Sequence, residues 1–211
     1  MPIPLLLGLV LAGGESRRMG RDKGALVIGG EPQVRRAWRL LNRFCVGAYV
    51  SAREGQASEP AYAGLPLILD REAGLGPAAG LMAAWREHPE AAWLVLAADM
   101  PLVDAGLLAE LIRGRDPERL ATVFRQPEGW LQPLCAIWEP RACTALEARL
   151  AAGDGSLRRV LEGGPIAELA PSAPERLTGI NTEDELRRVV ASMLHNAPLA
   201  QAVRKSSPAD P

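Results

Sequence analysis

The strongest constraint on the fold is an apolar run that ends abruptly in glycine. Residues 3–10 read Ile-Pro-Leu-Leu-Leu-Gly-Leu-Val, long enough for a buried strand. Leu11-Ala12-Gly13-Gly14-Glu15-Ser16-Arg17-Arg18-Met19-Gly20-Arg21-Asp22-Lys23-Gly24 follows directly. Glycine lacks a Cβ, so it turns with positive φ and lets backbone come close to a ligand. The N–H groups freed at such a turn form an anion-binding nest. Arg17, Arg18, Arg21 and Lys23 add side-chain cations. The stretch therefore predicts a strand that opens into a phosphate-receiving loop.

Two phosphate loops are excluded by spacing. No lysine here is followed by Ser or Thr in a Gly-x-x-x-x-Gly-Lys frame, and Gly-x-Gly-x-x-Gly is absent after the strand. The chain's only lysines are Lys23 and Lys205, and Lys205 lies in a terminal segment. Lys23 is thus the sole lysine of the expected folded body. Its ammonium, a compact point charge, suits a flexible phosphate chain better than planar bidentate recognition.

At 211 residues the chain fits one large domain, expected over residues 1–194. Residues 195–211, rich in Ala, Pro and Ser, read as a disordered tail. A net charge of -1 argues against a nucleic-acid surface. With 48% hydrophobic but only 4% aromatic residues, the core is expected to be Leu, Val and Ala, as in layered α/β proteins. Cys45, Cys135 and Cys143 lack CxxC spacing and read as reduced thiols of a cytoplasmic protein. The N-terminal run lacks a basic lead and reads as a strand rather than a signal peptide; no segment suggests a membrane span.

Strands and helices alternate after the loop. Residues 27–32 read as a short extended piece with a turn. Residues 33–44 carry a helical stripe of Val34, Ala37, Trp38, Leu41 and Phe44. Strands are predicted at 48–52, 66–70 and 93–98, with a polar loop from 53 to 61 and helices at 77–85 and 104–113. This alternation predicts parallel βαβ units with right-handed crossovers in a sheet covered on both faces. In such sheets ligands bind beyond the carboxyl ends of the strands. The glycine loop, Ser51, Asp70 and Asp99 all fall at predicted strand ends, so they are expected on one rim.

Asp99 follows the apolar residues 93–98 and precedes Pro101. A hard Mg²⁺ ion is commonly held by one or two carboxylates, water and substrate phosphates, which makes Asp99 the metal candidate. The plainer role is a helix N-cap, which Asp104 serves equally well. Asp70, at a predicted strand end before Arg71, reads from its neighbours as half of an ion pair. Gly76-Pro77-Ala78-Ala79-Gly80 offers glycines for close backbone approach and a proline suited to a helix's first turn.

The second half is less regular. Strands are expected at 121–124 and 131–138 about a turn at 127–129, then a helix at 141–151. Gly153-Asp154-Gly155-Ser156-Leu157-Arg158-Arg159 is a second cationic loop with Ser156 as cap; Arg158 and Arg159 read equally as an exposed helix face. Thr182 with Glu185 forms a capping box for a helix to about residue 194.

The stretch from Leu11 to Lys23 resembles the L-A-G-G-x-S-x-R-M-G-x-D-K signature of nucleotidyltransferases that handle nucleoside triphosphates. With Gly13-Gly14 it is most similar to the molybdenum cofactor guanylyltransferases. Asp99-Met100-Pro101 is similar to that family's metal aspartate, residues 76–80 to its base-pocket G-P-L-A-G, and residues 178–186 to its N-x-N-T-p-E-D/E-L. The resemblance implies a Rossmann-like, GT-A-like three-layer α/β fold with a mostly parallel central sheet. It also implies transfer of GMP from Mg·GTP to the terminal phosphate of molybdenum-bearing molybdopterin, with release of pyrophosphate. Arg18, Lys23 and Asp99 would be catalytic, with Mg²⁺ on Asp99. GTP would be bound by Leu11, Ala12, Gly13, Lys23, Ser51, Asp70 and Asp99, its base lying along Gly76, Pro77 and Gly80. Gln132, Arg158 and Asn181 would serve the acceptor. The implied partners are GTP and the molybdenum cofactor, with transient contacts to cofactor-assembly proteins; neither nucleic acid nor membrane is expected, and a monomer is favoured over an oligomer. Two positions depart from the family: Ser51 and Gly179 stand where it carries asparagine. A related CTP-using enzyme and a catalytically silent nucleotide-binding module remain as alternatives.

Overall fold

The computed structural model describes residues 2–12, 22–70, 75–180 and 182–195. The first strand, β1 (Leu6–Leu11), precedes a hairpin of β2 (Val27–Ile28) and β3 (Glu31–Pro32), which runs into α1 (Gln33–Leu41). Next come β4 (Ala48–Ala52), α2 (Glu54–Ala57), β5 (Leu67–Leu69), α3 (Pro77–Glu87), β6 (Ala92–Ala97) and α4 (Ala105–Arg113). The second half comprises β7 (Ala121–Arg125), β8 (Leu131–Trp138), α5 (Ala142–Ala151), α6 (Leu157–Glu162), β9 (Ala167–Leu169) and α7 (Glu183–His195).

A seven-stranded sheet in the order β5-β4-β1-β6-β8-β7-β9 forms the centre. Strands β5, β4, β1 and β6 are mutually parallel, while β8 runs antiparallel to both β6 and β7. The alternation of side chains along a strand sends successive residues to opposite faces. Val10, Val50, Leu94 and Leu96 therefore pack with Val34 and Leu41 of α1 and Leu107 and Leu111 of α4. Leu7, Leu9, Leu11, Trp93 and Val95 pack against Leu81 and Trp85 of α3, Leu146 of α5 and Val160 of α6. Helices thus cover both faces, giving the expected three layers. Each fully buried Leu or Val contributes about 1.5–3 kcal/mol of hydrophobic stabilisation before entropy is counted.

Register decides where the chemistry collects. Leu11 pairs with Ser51 on one side and Ala97 on the other, and Ser51 pairs with Ile68. One row across four parallel strands therefore ends β1, β4, β5 and β6 together, so Ala12, Asp70 and Asp99 emerge on the same rim.

Some boundaries differ from those the sequence suggests. Helix α1 stops at Leu41, and Phe44 instead closes a turn by donating its N–H to the Leu41 carbonyl. The loop expected over 53–61 contains α2 and the start of a 3-10 turn, Pro60–Tyr62. Strand β9 is a three-residue edge strand, too short to leave a period in the sequence. Helix α7 includes His195, which the sequence assigns to the tail; residues 196–211 lie outside the described residues. Thr182 and Glu185 exchange the two hydrogen bonds of a capping box at its start. Among the described residues no helix is long and apolar enough to cross a membrane.

Candidate functional site

The rim opens into a cleft. Leu11 and Ala12 form its floor with Ala97 and Ala98, Ser51 and Asp70 close one side, and Lys23 and Asp99 the other. Gly76, Pro77 and Gly80, at the start of α3, overhang it. Nine of the positions singled out by the sequence thus share one cavity: Leu11, Ala12, Lys23, Ser51, Asp70, Gly76, Pro77, Gly80 and Asp99.

Lys23 and Asp99 form the charged centre. Lys23 Nζ donates to Asp99 Oδ2 at 2.9 Å, and the two side chains are 21% and 23% exposed. The Asp99 carbonyl accepts from Ile180 N at 2.8 Å, which ties the end of the β6 turn to the segment that enters α7. The helix N-cap falls to its neighbour: Asp104 Oδ1 accepts from Leu107 N at 3.1 Å and caps α4. The Asp99 carboxylate is therefore held at the cleft by Lys23, not spent on a helix.

The overhang owes its position to missing side chains. Gly76 has φ +58°, a left-handed conformation that favours glycine, and Pro77 then starts α3. A Cβ at Gly80 would lie 2.4 Å from Ser51 Oγ and 2.8 Å from a Leu11 methyl. Gly80 thus lets α3 press directly on β1 and β4. Ser51 itself is only 1% exposed, its hydroxyl wedged beneath that contact.

A second groove adjoins the first, sharing Pro77 and Leu134 as walls and lined further by Gly155, Ser156, Arg158 and Arg159. Asp154 organises it. Its carboxylate accepts from Ser156 N at 3.0 Å, Arg149 at 2.8 Å and Arg159 at 3.3 Å. The backbone hydrogen bond from Ser156, aided by the two arginines, holds the Asp154 carboxyl below its usual range. Ser156 Oγ caps α6 by accepting from Arg159 N. Arg158 is exposed at the groove, its guanidinium 5.9 Å from the Trp130 ring centre, within cation–π range.

Gln132 is not brought to either opening. It is buried, donating to the Leu177 carbonyl at 3.1 Å and accepting from Leu134 N at 3.2 Å, so its amide fastens β8 to the turn before α7. Gly13, Arg18 and Asn181 lie outside the described residues. Sequence reasoning missed Gln56 and Tyr62, whose polar atoms reach the ends of the glycine-rich segment. The available signal was a tyrosine in a chain with only two, set in a polar stretch.

A family model described as the MobA-like NTP transferase domain matches residues 8–171. The chain belongs to that family. The match begins within β1 and ends just beyond β9, so it reaches all seven strands of the central sheet. A molybdenum cofactor guanylyltransferase of Pseudomonas putida is 35% identical over 182 residues, covering 85% of this chain and 94% of that one. A molybdenum cofactor biosynthesis bifunctional protein of Synechocystis is 33% identical over 138 residues; the aligned part is 65% of this chain and only 40% of that longer protein. The crystal structure of molybdopterin-guanine dinucleotide biosynthesis protein A from Archaeoglobus fulgidus superposes with a TM-score of 0.75 at 23% identity, covering 90% of this chain and 99% of that one. This MobA-like chain therefore has the α/β nucleotidyltransferase fold, and Lys23 and Asp99 meet at its strand-end cleft.

Proposed function

We propose that this nucleotidyltransferase is a molybdenum cofactor guanylyltransferase. It transfers GMP from GTP to the terminal phosphate of molybdenum-bearing molybdopterin. An acceptor phosphate oxygen bonds to the α-phosphorus, the bond to the β-phosphate oxygen breaks, and pyrophosphate leaves. The observation that carries the reading is the Lys23–Asp99 pair at the strand-end cleft, in a chain aligned along 94% of a relative named for this activity.

The donor set suits Mg²⁺. Among the described residues no group of three or more His, Cys, Asp or Glu gathers as a cage. Asp99, with Asp70 across the cleft, offers the one or two carboxylates that Mg²⁺ uses when phosphates and water complete its shell. Bound on Asp99, the ion supplies positive charge to the triphosphate.

The chain's own residues do the rest by positioning and charge neutralisation, the main sources of catalysis in such transfers. Lys23, with Arg18, neutralises the departing pyrophosphate. The acceptor phosphate is already anionic and needs no strong base. Leu11, Ala12, Gly13, Ser51 and Asp70 hold the nucleoside beneath Gly76, Pro77 and Gly80. The adjoining groove with Arg158 receives the acceptor, which Asn181 also serves; Gln132 contributes by anchoring the groove's wall. Residues 1–195, through the end of α7, act as one domain with 196–211 as a tail. The protein works in the cytoplasm as a monomer, its three cysteines unpaired, with transient contacts to cofactor-assembly proteins.

The test is a transfer assay with Mg·GTP and molybdenum-bearing molybdopterin. The reading expects the guanine dinucleotide and pyrophosphate in equal amounts. Dinucleotide formation from CTP alone, or none from either nucleotide, overturns it.

A further inference from the structure

The glycine-rich segment is bounded by Ala12 and Asp22, and both positions are held by one hydrogen-bonded pair of side chains. Gln56 Nε2 donates to the Ala12 carbonyl at 3.1 Å and to the Tyr62 hydroxyl at 3.2 Å. The Tyr62 hydroxyl donates in turn to Asp22 Oδ2 at 2.6 Å. Asp22 Oδ1 accepts from Gly24 N at 2.9 Å, closing a turn around Lys23. Gln56 is itself fixed, since its carbonyl oxygen accepts from Arg53 N at 3.0 Å.

Donor and acceptor directions are unambiguous along this chain. An amide N–H donates, a hydroxyl accepts once and donates once, and an ionised carboxylate only accepts. Linked bonds of this kind reinforce one another in a buried setting. Gln56 is 5% exposed and Tyr62 1%. The fit is close: a Cβ on Gly24 would sit 2.5 Å from the Tyr62 hydroxyl, so the residue after Lys23 must be glycine for that hydroxyl to reach Asp22.

We propose that Gln56 and Tyr62 form a clasp on the two ends of the glycine-rich segment, and that Tyr62, acting through Asp22, is a positioning residue for Lys23. Neither side chain lines the cleft. The clasp links α2 and the Pro60–Tyr62 turn, beneath the β4 side of the sheet, to the charged centre beside β6.

Having only two lysines lets this be read directly. Protein labelled with ¹³C at lysine Cε gives one signal for Lys23 and one for Lys205, assigned by Lys23→Met. The expected result is that Tyr62→Phe moves the Lys23 signal toward the position of Lys205. Asp22→Asn moves it equally, and the double variant moves it no further. Tyr49→Phe, which alters the only other tyrosine, leaves it in place. Should Tyr62→Phe fail to fold, Asp22→Asn and Gln56→Leu carry the same test. An unmoved Lys23 signal in folded Tyr62→Phe and Asp22→Asn, whatever happens to the melting midpoint, overturns the proposal.

The functional consequence rests on Lys23 meeting phosphate. On that reading Tyr62→Phe weakens Mg·GTP binding by about tenfold, the scale of one lost charge-assisted contact, and has no effect in a Lys23→Met background. Failure of GTP binding alongside a displaced Lys23 signal would remove the guanylyltransferase reading and leave the clasp standing.

Discussion

Lys23 Nζ and Asp99 Oδ2 lie 2.9 Å apart although their residues are separated by 76 positions in the chain. The parallel neighbours β1 and β6 end on one row, which is what lets the segment following β1 reach the turn following β6. On the proposed reading, the pair supplies one positive group for a triphosphate and one negative group for its metal.

Neutralising either partner should therefore remove catalysis rather than the fold. Lys23→Met and Asp99→Asn are each expected to lower transfer by about 100-fold or more, the scale seen when one transition-state charge contact is lost. Both side chains are partly exposed, so solvent screening limits the pair's contribution to stability to about 0–1 kcal/mol. Melting curves should barely move. Near-normal turnover in either variant would remove that residue from the mechanism.

Gly80→Ala tests the contact that sets α3 over the cleft. The added methyl meets Ser51 Oγ and Leu11, and such overpacking typically costs about 1–3 kcal/mol. Urea denaturation should show that loss, and Ser51→Gly should recover part of it because the two sites touch. Purely additive effects of the two substitutions would contradict the contact.

Much of this site was legible because its residues end strands. The apolar runs before Leu11, Asp70 and Asp99 mark those strands, and parallel topology then brings their ends together. Gln132 shows the limit. Its motif position suggests the acceptor, yet its amide spans 45 positions to Leu177, a partner that no local pattern reveals. The Gln56–Ala12 and Tyr62–Asp22 bonds span 44 and 40 positions and were hidden for the same reason. The end of α1 and the short β9 were missed because tertiary contacts outweigh weak local periodicity there.

Asp154 should make the second groove sensitive to acid. Its carboxyl is lowered in the folded chain by Ser156 N–H and by Arg159 and Arg149. A depressed folded pKa contributes stability that is fully present above the ordinary carboxylate range and is lost as pH falls through the lowered value. Amide hydrogen exchange at the start of α6, taken relative to the intrinsic rate at each pH, should therefore accelerate on acidification below the carboxylate range. Asp154→Asn should produce a similar acceleration at neutral pH. Equal protection in wild type and Asp154→Asn at neutral pH would contradict this anchoring role.

The central claim is guanine nucleotide use at the Lys23–Asp99 cleft, and calorimetric titration with GTP, CTP, ATP and UTP in the presence of Mg²⁺ tests it most directly. The account predicts selective binding of GTP that is lost in Lys23→Met. Preferential binding of CTP, or no binding of any of the four, would contradict it.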